Sequence, residues 1–207
     1  KAEFKEKVIN DFILAYSRGE TPNPCIACNK HLKFGSLVDF ATKNGAEKYA
    51  TGHYVRVVKQ GDRQVIARAM DDNKDQTYML WSLSAQQISN FISPLGEYTK
   101  SQVQYLAATA PESSAKIVAV FDLPSKSSKE SQDICFIPDG DYRGFLSRVS
   151  DLKESKGDFV HINGRILGKH NGQSCYTIGQ RKGLGIAYSE PLYVIGRDMA
   201  KNRVILG

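Results

Sequence analysis

Cys25 and Cys28 form a C-x-x-C pair directly behind two prolines, within Thr21-Pro22-Asn23-Pro24-Cys25-Ile26-Ala27-Cys28-Asn29-Lys30-His31-Leu32-Lys33-Phe34. Pro22 and Pro24 fix φ twice, remove two backbone donors, and push the residue before each toward extended backbone. This predicts a stiff, non-helical presentation of Asn23 and Cys25 at the surface. A helix follows, its apolar positions Phe34, Leu37, Phe40 and Ala41 recurring at helical intervals. Thiols at the start of a helix lie close to backbone N–H groups and the positive end of the dipole, which stabilise a thiolate. By spacing alone the pair reads as half a zinc site, a redox pair or a coincidence. No second C-x-x-C and no H-x-x-x-H supplies the remaining ligands of a closed zinc site. A free Cys also serves simply as a small buried hydrophobe.

The elements that must position these thiols follow from periodicity. Phe4, Val8, Ile9, Phe12, Ile13 and Tyr16 make one face of an opening helix that Gly19 ends. The helix after the cysteines stops at Asn44-Gly45. Lys48 to Val58 and Gln64 to Met70 read as strands joined at Gln60-Gly61-Asp62. Tyr78 to Ile92 reads as helical with Ser84 as a candidate cap; Pro94-Leu95-Gly96 breaks it, and Thr99 caps another helix to about Ala110. Ser113 to Ser131 is a polar, Ser/Lys-rich connection holding one apolar island, Ile117 to Phe121. Tyr142 to Val149 is a further short helix. From Gly157 the pattern becomes β, with Asn163-Gly164 and Asn171-Gly172 as hairpin signals and a last strand pair in Tyr193–Gly196 and Arg203–Leu206.

With 207 residues, 41% hydrophobic and 24% charged, the chain has the composition of a globular protein with a sizeable core. No run approaches the ~18 apolar residues of a membrane span, and the first residues do not read as a signal peptide. The cysteines are therefore expected as reduced cytoplasmic thiols. Formal net charge is +6, and residues 151–207 carry nine Lys/Arg against five Asp/Glu. That balance suits a polyanionic partner and equally an ordinary basic surface.

The stretch from Thr21 to Phe34 resembles the cysteine motif of the tRNA-specific 2-thiouridylases, which place sulfur at C2 of the wobble uridine. Further motifs stand in that family's order: Ala50-Thr51-Gly52-His53-Tyr54, Lys74-Asp75-Gln76-Thr77-Tyr78, Ser131-Gln132-Asp133-Ile134-Cys135-Phe136-Ile137, and Tyr176-Thr177-Ile178-Gly179-Gln180-Arg181-Lys182-Gly183-Leu184-Gly185. Together they cover nearly the whole chain. The resemblance implies an α/β fold. Residues 1–135 would be the second half of an adenine-nucleotide α-hydrolase-like (PP-loop ATPase) domain, and 136–207 a small β-rich central tRNA-binding domain. The family's S-G-G-x-D-S phosphate loop and a complete C-terminal β-barrel do not occur in these residues, so the chain is expected to be a fragment that is inactive alone.

The resemblance also implies the chemistry. ATP, with Mg2+, adenylates the C2 oxygen, Cys135 carries persulfide sulfur, and Cys28 attacks or assists, leaving a Cys28–Cys135 disulfide. Asn23, Pro24 and Cys25 match positions that meet the target base, although the family often has aspartate where Cys25 stands. Gly52 matches a nucleotide contact. His53, Lys74, Asp75 and Gln76 match tRNA contacts, and Arg181 and Lys182, with Arg165 and Lys169, are candidate phosphate contacts. The implied partners are tRNAs of the Lys, Glu and Gln type and an upstream sulfur-carrier protein or cysteine desulfurase. As an alternative, Cys25, Cys28 and Cys135 suit an iron–sulfur cluster with one open iron site in a non-catalytic nucleic-acid- or metal-binding module.

Overall fold

The structure, a computed structural model, describes residues 1–109, 134–149 and 155–207. In chain order the helices are α1 (Ala2–Phe4, Lys5–Ile9 and Asn10–Ser17, continuous), α2 (Pro24–Cys28, running on through Asn29–Ser36) and α3 (Leu37–Lys43). They continue with α4 (Ala85–Ser89), α5 (Lys100–Thr109) and α6 (Tyr142–Val149). The strands are β1 (Tyr49–Ala50), β2 (Arg56–Gln60), β3 (Arg63–Ala67), β4 (Phe91–Ile92), β5 (Gly157–His161), β6 (Ile166–His170), β7 (Val194–Asp198) and β8 (Arg203–Leu206). The fold is mixed α/β. Residues 1–24, 134–149 and 155–207 make one compact unit and residues 25–109 another. Among the described residues no helix is long and apolar enough to cross a membrane. The Ser113–Ser131 connection lies outside the described residues.

In the first unit, α1 buries Val8, Phe12, Ala15 and Tyr16, the stripe its apolar spacing predicts. Gly19, at φ +74°, ends it: the Gly19 N–H donates to the Tyr16 carbonyl at 3.0 Å and the Glu20 N–H to the Ala15 carbonyl at 2.9 Å. This is the paired arrangement that satisfies the last carbonyls of a helix and requires a left-handed residue. Phe12 and Tyr16 pack with Ile137 and Leu146, flanked by Ile134, Phe136, Tyr142 and Phe145.

The same unit holds a four-stranded sheet in the order β6-β5-β8-β7, with β5 and β8 parallel and the other pairs antiparallel. Its buried face joins Phe159, Val194, Val204 and Leu206 to Tyr176, Leu184 and Leu192. Asn163-Gly164 makes the expected hairpin turn, with Gly164 at φ +90°. Asn171-Gly172 does not: β6 ends at His170, and Gly172 leads into a short helical turn at Gln173–Cys175.

In the second unit β1 and β4 pair in parallel, and β2 and β3 form an antiparallel hairpin. Gly61, at φ +60°, is the first of its two turn residues, as a II′ turn requires. The predicted strand from Lys48 to Val58 is thus two strands in different sheets. The predicted helix from Tyr78 to Ile92 reduces to a turn at Thr77–Met79, α4 and the strand β4. Ser84 does cap α4, exchanging hydrogen bonds with Gln87 as a capping box. Phe34, Val55, Leu80 and Phe91 form the core here.

Candidate active site

The expectation of non-helical backbone at Cys25 is corrected, since helix α2 begins at Pro24 and includes Cys25, while the two thiols do stand at the start of a helix as expected. Proline at the first helical position loses no helix bond, and its fixed φ suits the helix. Only the backbone ahead of it is restricted. Cys25 is exposed and Cys28 half-buried, and their spacing of three residues puts both thiols on one side of the helix. Asn23 is half-buried and Pro24 buried.

Asn29, next to Cys28, is only 2% exposed. Its Nδ2 donates to the Met79 carbonyl at 3.0 Å, while its Oδ1 is buried without a partner. Farther along, α2 is kinked at Gly35 (φ −107°, ψ −107°). Gln87 Nε2 donates to the carbonyls of Lys30 and Phe34, both at 2.8 Å, holding the kinked segment against α4. Sequence reasoning gave neither Asn29 nor Gln87 a role. The place of Asn29 between Cys28 and the apolar helical positions that begin at Phe34 was the signal available.

Gly52 lies just past the end of β1 and is exposed. Among the described residues a Cβ built there would meet only Leu95 Cδ1, at 3.9 Å, an ordinary contact. The C-terminal edge of parallel strands is where open α/β sheets bind ligands, and a bare backbone there admits close approach.

The next residue, His53, is 8% exposed. Its Nδ1 is 2.7 Å from Thr51 Oγ1, and its ring centroid is 5.8 Å from that of Phe34. Burial first, and Lys33 second, push its pKa down to about 4, so the imidazole is neutral at physiological pH.

Lys74, Asp75 and Gln76 are half-buried, and the latter two bond inward. The Asp75 carboxylate accepts from the Ala69 N–H at 2.7 Å, the Thr77 N–H at 3.2 Å and the Thr77 hydroxyl. Burial raises its pKa, but these bonds and Arg68 outweigh that and hold it below the usual carboxylate value. Gln76 and Tyr54 exchange two hydrogen bonds, each 2.9 Å: Tyr54 N–H to Gln76 Oε1 and Gln76 N–H to the Tyr54 carbonyl. The loop is thus tied to the Thr51–Tyr54 segment, and through the Asn29–Met79 bond its continuation is tied to the helix bearing Cys28.

In the other unit, Cys135 is exposed in a turn closed by the Ile137 N–H donating to the Ile134 carbonyl at 2.8 Å. Ile134, Phe136 and Ile137 sink into the α1 core on either side of it, so apolar anchors present the thiol outward. Ser131 to Asp133 of that motif lie outside the described residues. Arg181 and Lys182 are exposed in a glycine-rich loop whose base is paired to β7, Gly179 N–H to the Val194 carbonyl at 2.7 Å and Val194 N–H to the Gln180 carbonyl at 2.9 Å. Arg165 is exposed. Lys169 is exposed and pairs with Asp158 at 2.6 Å.

The second unit therefore gathers Cys25, Cys28, Gly52, His53, Lys74, Asp75 and Gln76, and the first carries Asn23, Pro24, Cys135, Arg181 and Lys182. No disulfide joins the four cysteines, all of which are described. Within each unit, among the described residues, no three His, Cys, Asp or Glu side chains are gathered as a metal site would need.

Comparison with known proteins adds an independent finding. The family model described as the tRNA methyl transferase HUP domain matches residues 1–139, and the tRNA methyl transferase PRC-barrel domain matches residues 143–207. The chain is 44% identical over 207 residues to the tRNA-specific 2-thiouridylase MnmA of Syntrophotalea carbinolica, covering 100% of this chain and 56% of that protein. It is 45% identical over 205 residues to MnmA 2 of Clostridium botulinum (strain Loch Maree), covering 99% and 55%. Over 206 residues it is 45% identical to MnmA of Carboxydothermus hydrogenoformans, covering 99% and 53%. The chain spans about half the length of these curated relatives.

Proposed function

Because the chain belongs to the tRNA-specific 2-thiouridylase family, we propose that it takes part in replacing the C2 oxygen of a tRNA wobble uridine by sulfur. The observation that carries this reading is the presentation of two thiols. Cys28 stands on a helix braced by buried Asn29, and Cys135 sits on a turn held outward by buried apolar neighbours. Residues 1–135 serve the catalytic domain in this reading, and residues 136–207 the central tRNA-binding domain.

The C2 oxygen is a poor leaving group, and ATP, with its Mg2+, supplies the activation by adenylating it; exposed Gly52 at the strand edge fits a close backbone approach to the nucleotide. The chain's own thiols do the rest. Cys135 carries a persulfide whose terminal sulfur bonds to C2. The Cys28 thiolate then attacks the Cys135 Sγ, and the electron pair of the broken S–S bond stays on the sulfur bound to C2. The activated oxygen departs as the C2–S double bond forms. Cys28 and Cys135 are left as a disulfide, which an external thiol reductant resets with two electrons.

Asn23, Pro24 and exposed Cys25 meet the target base in this scheme. Arg181 and Lys182 meet RNA phosphate, and Lys74 joins them. Asp75 and Gln76 act through the loop they shape, since their side chains bond inward, and buried His53 acts likewise. The tRNAs are of the Lys, Glu and Gln type, and the sulfur comes from a carrier protein or a cysteine desulfurase. The placing of Cys25 and Cys28 on one helix side favours a second reading, in which both thiolates join Cys135 around an iron–sulfur cluster.

Replacing Cys25, Cys28 and Cys135 singly by Ser, in the full-length enzyme, separates the two. The persulfide route expects thiolation lost for Cys28→Ser and Cys135→Ser, a mild-oxidant crosslink between those two residues, and a smaller effect for Cys25→Ser. Equal loss at all three, with iron in anaerobic preparations, overturns it.

A further inference from the structure

Arg197 on β7 is half-buried and ties the two ends of the first unit together. Its Nη2 donates to Thr21 Oγ1 at 3.2 Å and its Nη1 to the Gln173 carbonyl at 3.4 Å, while Nε is buried without a partner. Among the described residues no carboxylate forms an ion pair with it. Glu20, which it feels electrostatically, is taken by Arg18 at 3.0 and 2.9 Å.

Arg143, exposed on α6, is the second cation here. It donates to Tyr142 Oη at 3.4 Å and to the Cys175 carbonyl at 3.2 Å, with its guanidinium 5.6 Å from the centre of the Tyr142 ring. It too forms no ion pair with a described carboxylate. Tyr142 stacks on Tyr16 with ring centroids 5.6 Å apart and planes at 24°, and Tyr16 feels both arginines. Burial first, and Tyr142 second, push the Tyr16 pKa up to about 12 against the opposing pull of Arg197 and Arg143. Its hydroxyl therefore remains a donor.

The two guanidiniums and the phenol O–H form a cluster of donors whose hydrogen-bond acceptors are neutral, and Glu20, the acid that Arg197 feels, is already paired with Arg18. Half-burying the Arg197 charge is unfavourable unless an anion joins it, and Arg143 adds a solvent-exposed guanidinium. Guanidinium forks match phosphate oxygens in shape as well as charge. The cluster grips Thr21, the first residue of the loop carrying Asn23 and Pro24.

We propose that Arg197 and Arg143, with the Tyr16 hydroxyl, form a phosphodiester-binding site that holds the substrate RNA strand beside the Thr21–Pro24 loop. This rests on the reading of the chain as a tRNA-binding enzyme and assigns it a specific RNA contact. Arg197 plays two parts in it, fixing the loop through Thr21 and receiving phosphate.

The test is tRNA affinity across a salt series for the wild-type chain, Arg143→Gln, Arg197→Met, Arg197→Lys and Thr21→Val, with thermal melting of each as a check on folding. Each lost phosphate contact flattens the slope of log affinity against log salt by about 0.7 to 0.9. Arg143→Gln and Arg197→Met are each expected to show that flattening, alike for every tRNA sequence. Arg197→Lys, which keeps the charge, and Thr21→Val, which loses only the loop anchor, are expected to keep the wild-type slope. Wild-type slopes in folded Arg143→Gln and Arg197→Met overturn the proposal. So does inorganic phosphate at millimolar concentration displacing no RNA while stabilising the wild type against heat, because the site then takes a free anion. RNA binding that shows the expected slopes in a full-length enzyme unable to thiolate removes the enzymatic reading and leaves this site standing.

Discussion

Replacing His53 by glutamine removes a titration that the fold makes costly. The unfolded chain protonates this imidazole near the ordinary value of about 6.5, whereas burial, with Lys33 adding to it, holds the folded value down to about 4. A group depressed on folding contributes stability that is complete above its unfolded pKa and is lost as pH falls through the folded one. Integrating between the two values gives a wild-type loss from His53 alone of about 2 kcal/mol at pH 5 and about 3 kcal/mol at pH 4, relative to pH 7. His53→Gln should be less stable at neutral pH, having lost the imidazole's fit against Phe34 and its contact with Thr51. Its deficit should shrink, and even reverse, as the solution is acidified. Guanidinium unfolding of both proteins at pH 7, 6, 5 and 4 yields the difference directly, provided each transition is two-state. His170 and the carboxylates titrate alike in both proteins and largely cancel. A difference that stays constant from pH 7 to pH 4, or an imidazole titrating near 6.5 by NMR in the folded chain, refutes the reasoning.

Gly52→Ala should leave the melting temperature within about 2 °C of wild type, since its Cβ would meet only Leu95 at ordinary contact distance, yet weaken ATP binding by the full-length enzyme, measured by calorimetry. Gly96→Ala is the contrast. Its Cβ would overlap the Val55 carbonyl, so a loss of about 3 kcal/mol is expected in chemical unfolding. Asn29→Ala should cost about 1–2 kcal/mol, because the Met79 carbonyl loses its donor while the unpartnered Oδ1 is removed as well. Asn29→Asp should be worse than Ala at pH 7, where a buried carboxylate faces that carbonyl, and recover toward pH 4 once protonation restores a donor; wild-type stability in Asn29→Ala would show that the bond does not matter.

The sequence by itself determined most of what is local. Gly19 and Asn44-Gly45 end helices because only a residue tolerant of positive φ closes the last turn, and both do so in the structure with Gly19 at +74° and Gly45 at +86°. Ser84 and Thr99 cap because their hydroxyls meet backbone three residues on. The motif around Cys28 was legible as chemistry for a similar reason, since its residue order is idiosyncratic wherever the chain takes it. Tertiary structure decided the rest. Pro24 is compatible both with an extended bracket and with a helix start, and neighbouring residues alone do not choose between them. Lys48 to Val58 has strand character throughout, but which of its residues pair depends on β3 and β4, partners remote in the chain. Asp75 and Gln76 look like solvated loop until Ala69, Tyr54 and Thr77 are placed around them. Asn29 finds Met79 fifty residues on, and Arg197 finds Thr21 at a separation of 176 residues. A buried polar group is identified by the partner it has or lacks, and that partner is supplied by folding and cannot be read from spacing.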